Sequence, residues 1–132
     1  MRAEADMQLI SFDSSTGVEV RFGFEPVRLV SGGPVRWVFT LVNRGRERRV
    51  VTFTSSQRGE VVLAAGGSER YRWSRGRLFA AVLGEQALAP GQEWSYPLVD
   101  SLALPAGQYV LHATVPAQPA LPPVHGEVMI YP

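Results

Sequence analysis

The sequence predicts an all-β fold, an antiparallel β-sandwich of about eight or nine short strands. Three observations carry that prediction. Apolar and polar residues alternate with a period of two in several segments, so each has one buried and one wet face. Thirteen glycines and ten prolines punctuate the 132 residues, mostly between those segments. No stretch sustains the 3.6-residue period of an amphipathic helix, and no helical crossovers separate the strands.

Taken in order, residues 1–6 are polar and read as a loose lead-in, and 7–12 as a first edge strand. The cluster Asp13 to Gly17 is a turn whose side chains bond their own backbone. Val18, Val20, Phe22 and Phe24 then alternate with polar residues or glycine, and residues 27–30 are expected to extend this strand beyond Pro26. After the break at 31–34, Val35, Trp37, Phe39 and Leu41 share one face of the most hydrophobic strand, which belongs at the centre. The turn Asn43 to Arg48 sends the chain back, so that residues 49–54 pair antiparallel with it, Val51 and Phe53 inward. Residues 60–65 and 69–73 form the next two strands across a glycine turn.

Residues 79–83 are ambiguous, with a single helical turn and an irregular crossing both open. Ala89 to Gly91 is a turn in which Pro90 presets φ and Gly91 follows. Trp94, Tyr96 and Leu98 alternate in the strand beyond it. Tyr109, Leu111, Ala113 and Val115 line one face of the following strand, and residues 116–123 form a stiff proline-rich loop. Residues 124–131 close the chain, with Val128 and Ile130 on one side. Gly107 to Tyr109 has the character of a tyrosine corner, whose phenol bonds back to nearby backbone, a device of immunoglobulin-like sandwiches. The length suits a single domain over 1–132 with one core.

Composition narrows the function classes. Apolar residues make up 45% and charged residues 19%, as in an ordinary globular protein. The formal charge of +1 sets up no strong field toward nucleic acid or an anionic membrane. All 13 basic residues are arginine. Arg44, Arg46, Arg48 and Arg49 form one group and Arg70, Arg72, Arg75 and Arg77 another. With Glu47, Glu60 and Glu69 nearby, both groups read as solvated strand faces with cross-strand ion pairs rather than a nucleic-acid surface. Cysteine is absent, which excludes disulfides and thiolate chemistry and agrees with a cytoplasmic location. No apolar run approaches the roughly 20 residues of a membrane helix, and the N-terminal residues lack the apolar core of a secretion signal.

No catalytic set emerges. His112 and His125, the two histidines of the chain, lie away from any nucleophile motif and read as surface residues. Asp6, Asp13 and Asp100 are scattered, and two histidines without cysteine make no zinc site. No glycine-rich loop precedes a helix, so neither a metal nor a nucleotide cofactor is expected. The residues that stand out are structural anchors, namely Trp37, Trp73, Phe79, Pro90, Gly91 and Tyr109. The exposed turn between two of them, Ser74, Arg75, Gly76, Arg77 and Leu78, is the candidate partner-binding loop. The alternative is the proline loop, Ala117, Gln118, Pro119, Ala120, Leu121 and Pro122, whose stiffness limits the entropy lost on binding.

The ordered set of short motifs resembles the BsuPI family of bacterial intracellular proteinase inhibitors. It comprises Tyr71 to Phe79 (YRWSRGRLF), Leu88 to Glu93 (LAPGQE) and Pro105 to Tyr109 (PAGQY). Upstream, Leu41 to Asn43 and Phe53 to Gln57 match as well, so the resemblance spans about residues 35–115. It departs at Gly59 and Glu60, where the family usually carries Tyr-Asp. The resemblance implies an immunoglobulin-like sandwich without catalytic activity, and a serine protease partner of the subtilisin type. It points to no inhibitory loop. A non-inhibitory binding or scaffolding module on the same fold is the alternative.

Overall fold

A computed structural model of the protein describes residues 8–132; the expected lead-in and the start of the first strand, residues 1–7, lie outside the described residues. The chain forms eleven strands: β1 (Leu9–Asp13), β2 (Val18–Glu25), β3 (Leu29–Val30), β4 (Pro34–Asn43), β5 (Arg49–Phe53), β6 (Glu60–Ala65), β7 (Ser68–Arg72), β8 (Gly84–Leu88), β9 (Glu93–Ser101), β10 (Gly107–Thr114) and β11 (Val124–Tyr131). No helix occurs among the described residues.

Period-two alternation becomes burial directly. In β4, Val35, Trp37, Phe39 and Leu41 point into the core, and Trp37, Phe39 and Leu41 are completely inaccessible. β4 is central, as expected: it pairs antiparallel with β2 on one side and β9 on the other, in the order β1-β2-β4-β9. A second sheet has the order β3-β11-β10-β6-β7, and β5 with β8 forms a two-stranded ribbon. The inward faces of both large sheets contribute to one buried cluster, Trp37, Phe22 and Phe39 from the first and Leu63, Leu111 and Ile130 from the second. Tyr109, expected at a corner, is buried and donates its O–H to the Pro105 carbonyl at 2.7 Å.

Three expectations are corrected. Residues 27–30 do not extend β2. Pro26 has no N–H for the ladder, β2 stops at Glu25, and β3 crosses to the second sheet, where it runs parallel to β11. β5 does not pair with β4, because both edges of β4 are already taken by β2 and β9. β5 pairs instead with β8. The separate β3 and β8 raise the strand number above eight or nine, and the β3–β11 pair makes the second sheet mixed rather than purely antiparallel.

Asn43, at the end of β4, explains how the turns at this end are joined. Its side chain is fully buried, with the amide donating to the Glu47 and Leu88 carbonyls at 2.8 and 2.9 Å. Its Oδ1 accepts the Gly45 N–H, and its backbone bonds both Gly91 and Gln92 in the turn before β9. A buried amide of this kind is satisfied only when β4, the β4–β5 turn and the β8–β9 turn are all in place.

Candidate functional site

The link between β7 and β8, residues 73–83, crosses from the second sheet to the ribbon and passes along the open edge of β9. Its entry is bound to the core by a chain of polar groups. Trp37 Nε1–H donates to the Tyr71 hydroxyl at 3.1 Å, and that hydroxyl donates to Asp100 Oδ2 at 2.8 Å. Burial, with the Asp100 carboxylate adding to it, pushes the Tyr71 phenol well above its ordinary range, so it stays protonated and remains a donor. The other Asp100 oxygen lies 3.3 Å from Arg77. A fully buried tryptophan is thereby connected to the candidate loop through two side chains.

Trp73 opens the loop. It is 9% exposed, and its indole N–H donates to the Val99 carbonyl on β9 at 3.1 Å. Arg77 donates to the same carbonyl at 3.2 Å and to the Trp73 carbonyl at 2.7 Å, with its guanidinium 4.3 Å above the Trp73 ring. These bonds occupy a carbonyl on the edge strand that would otherwise invite another chain. Between them the turn is closed by Arg75 N–H to the Arg72 carbonyl and Arg77 N–H to the Ser74 carbonyl. Gly76, at φ +78°, supplies the left-handed residue this turn requires.

Glu60 holds the turn from the other side. Its carboxylate accepts from the Ser74 backbone N–H at 3.1 Å and from the Ser74 hydroxyl, and it pairs with Arg72 at 3.3 Å. Arg75 is drawn to Glu69 at 2.8 Å, and Arg72 pairs with the same residue. Hydrogen bonds from Arg72, ahead of the field of Arg75, hold the Glu69 carboxyl below its usual range. Of the second arginine group, Arg72 on β7 and Arg75 and Arg77 in the turn are ion-paired, Arg72 across to Glu60 on β6, while Arg70 donates to the Ala65 carbonyl.

Of the five loop residues, Ser74 is half-buried and the rest are exposed, Leu78 completely so. Phe79 is half-buried against Trp73, with ring centroids 5.8 Å apart. Residues 80–83 adopt neither a helical turn nor a strand, and all are exposed, Val82 to 56% and Leu83 to 77%. Among the described residues, the hydrogen bonds of the backbone from Leu78 to Leu83 are both on Ala80: its carbonyl accepts the Ser56 N–H and its N–H donates to the Ser56 hydroxyl. The loop expected from the sequence ends at Leu78, whereas the exposed segment continues to Leu83; its apolar run lacks strand alternation, a pattern that leaves the segment ambiguous without marking it as exposed. Asp100 and Glu60 were also missed as supports, since nothing in their local sequence points to the loop they hold.

The alternative loop is packed down. Ala117 and Leu121 are buried, and Gln118 exchanges both backbone hydrogen bonds with Thr52 of β5, leaving Gln118, Pro119 and Ala120 exposed. A cavity of about 190 Å³ lies against it, lined in part by Arg48, Arg49, Thr16, Pro119 and Leu121. Of the anchors, Trp37, Trp73 and Tyr109 are buried and Phe79 half-buried, whereas Pro90 and Gly91 are exposed in the turn fastened to Asn43.

The point of departure at Gly59 has a steric explanation. Gly59 is buried, and a Cβ there would lie 2.7 Å from the Phe39 ring and 3.0 Å from Leu98. Phe39 stacks on Tyr96 at 5.6 Å, whose hydroxyl donates to the Arg58 carbonyl, and meets Phe22 edge-on at 5.0 Å. His112 and His125 face each other across β10 and β11, Nδ1 to Nδ1 at 3.1 Å. Among the described residues there is no group of three or more His, Cys, Asp or Glu capable of holding a metal, and no helix long and apolar enough to cross a membrane.

A family model described as BsuPI, intracellular proteinase inhibitor, matches residues 27–120, more than two thirds of the chain and all of the 73–83 link. No curated protein matches the chain. Among solved structures, the chain is similar to the sporulation control protein Spo0M of Bacillus subtilis, at a TM-score of 0.53 and 14% identity over 87% of this chain and 49% of that one. It is also similar to the alkylpurine DNA glycosylase AlkC of Pseudomonas fluorescens, bound there to DNA containing an abasic site analogue, at a TM-score of 0.52 and 11% identity over 89% of this chain. The chain spans 31% of that glycosylase and about half of Spo0M, and identities this low express a likeness of fold.

Proposed function

The chain belongs to the BsuPI family of intracellular proteinase inhibitors, and from that premise we propose that it inhibits an intracellular subtilisin-type serine protease through its Ser74–Leu78 loop. The family is one of inhibitors, and the protein is not an enzyme. The observation that carries the loop assignment is its combination of rigidity and exposure. Glu60, Asp100 and the Val99 carbonyl fasten the turn, while Leu78 beside it is 100% exposed. A loop fastened in this way loses little conformational entropy on docking, and a nicked loop would remain in place rather than leave the cleft. In this reading the two facing sheets are an immunoglobulin-like sandwich, the chain is one domain over 1–132, and it works in the cytoplasm.

Titration against intracellular subtilisins, with a chromogenic peptide as reporter, tests the proposal. Stoichiometric loss of protease activity is the expected result, and full activity at micromolar protein would overturn it. A second reading, a non-inhibitory binding module, is favoured by the 190 Å³ cavity between β5 and the proline loop. A non-protease partner retained in a pull-down, and unaffected by Arg75→Ala with Arg77→Ala, would support that reading.

A further inference from the structure

Resting on the inhibitor reading, we propose that the contact strip is Leu78–Leu83 and that Leu78 is the residue that enters the primary specificity pocket of an apolar-preferring serine protease. Arginine is the obvious specificity residue in a loop containing Arg75 and Arg77, yet both guanidinium groups are committed. Arg75 is paired with Glu69 at 2.8 Å, and Arg77 is bonded to the Trp73 and Val99 carbonyls and lies against Asp100. Withdrawing Arg77 would also uncover the face of Trp73. Leu78 has none of these ties. It is wholly exposed between two anchored neighbours, Arg77 before it and Phe79, packed on Trp73, after it. A protruding side chain with both flanks fixed is what a deep, narrow pocket accepts without reordering the chain.

The residues that follow fit the rest of a substrate cleft. Between Leu78 and Leu83 only Ala80 has its backbone tied within the described residues, so the remaining N–H and C=O groups are free to pair with a cleft that binds peptides as an added strand. Ser56 holds Ala80 by two hydrogen bonds and so fixes the middle of the strip. Val82 and Leu83 are exposed together with Leu78, a run of exposed apolar residues of the kind that marks an interaction site. The occupant is therefore a protease with apolar subsites rather than one that recognises a cationic side chain.

The experiment titrates the wild-type protein and three variants against subtilisin and trypsin, with melting curves recorded for each. Wild type is expected to inhibit subtilisin and leave trypsin active. Leu78→Asp and Leu83→Asp should weaken subtilisin inhibition by about 30-fold or more, with melting temperatures unchanged because both side chains are in solvent. Leu78→Arg should gain inhibition of trypsin. If wild type inhibits subtilisin while both aspartate variants stay within about threefold of it, the strip is wrong and the inhibitor reading stands. If only Leu83→Asp loses inhibition, the strip holds and the assignment of Leu78 falls. If wild type inhibits neither protease, the inhibitor reading itself has failed and the strip falls with it.

Discussion

Trp73 is held by three kinds of contact: its indole N–H on the Val99 carbonyl, the Arg77 guanidinium over its face, and the Phe79 ring beside it. Trp73→Ala is expected to cost about 3–5 kcal/mol in urea unfolding, the range for deleting a buried aromatic. A melting temperature close to wild type with lost partner binding would instead make Trp73 a contact residue. His112 carries a different prediction. Burial first, then His125 on β11 and Arg72 on β7, lower its pKa from the ordinary 6.5. Between that value and its folded pKa, the unfolded chain binds more protons than the folded one. Stability is thus complete above about pH 6.5 and falls as the pH drops below it. Melting curves from pH 8 to 5 should show this shallow loss, and His112→Gln should flatten it. Acid loss from Glu69, whose carboxyl is held low by Arg72, belongs to a lower window beneath the ordinary 4.5.

At the scale of elements, the link 73–83 depends on a residue outside it. Glu60 opens β6, and its carboxylate holds both the backbone and the hydroxyl of Ser74. Glu60→Ala should leave the sheets intact and loosen the turn, read as faster cleavage near Ser74 to Leu78 in limited proteolysis. Inhibition should weaken with it, since the loop must then be ordered on binding. Unchanged proteolysis would show that Arg77 and Gly76 suffice to hold the turn. Most strands were legible in the sequence, because alternation in β2, β4 and β10 is a local signal. The partner of β5 was not, since a strand's neighbour depends on which edges remain free, and β9 had closed β4. The 79–83 segment was ambiguous for a related reason: an apolar run reads as buried unless the structure has nothing to set over it.

For the whole molecule, charge is nearly balanced, at 13 basic and 12 acidic residues, and three arginines at the loop are paired with acids. Protease association should therefore change by less than about threefold between low and physiological salt, measured by stopped flow. A steep salt dependence would point to an arginine-led surface and away from Leu78. The all-β class, the central place of Val35 to Asn43, the anchors Trp37, Trp73 and Tyr109 and, through ordered short motifs, the family are legible in the sequence. Each of these rests on periodicity or on residues close together in the chain. That β3 and β5 leave their sequence neighbours, that Asp100 and Glu60 brace a loop far from them in sequence, and that Leu78 and residues 80–83 stay in solvent emerges from the folded chain. Those outcomes depend on which edges and faces remain uncovered once the two sheets have closed on a common core, and no local pattern encodes that.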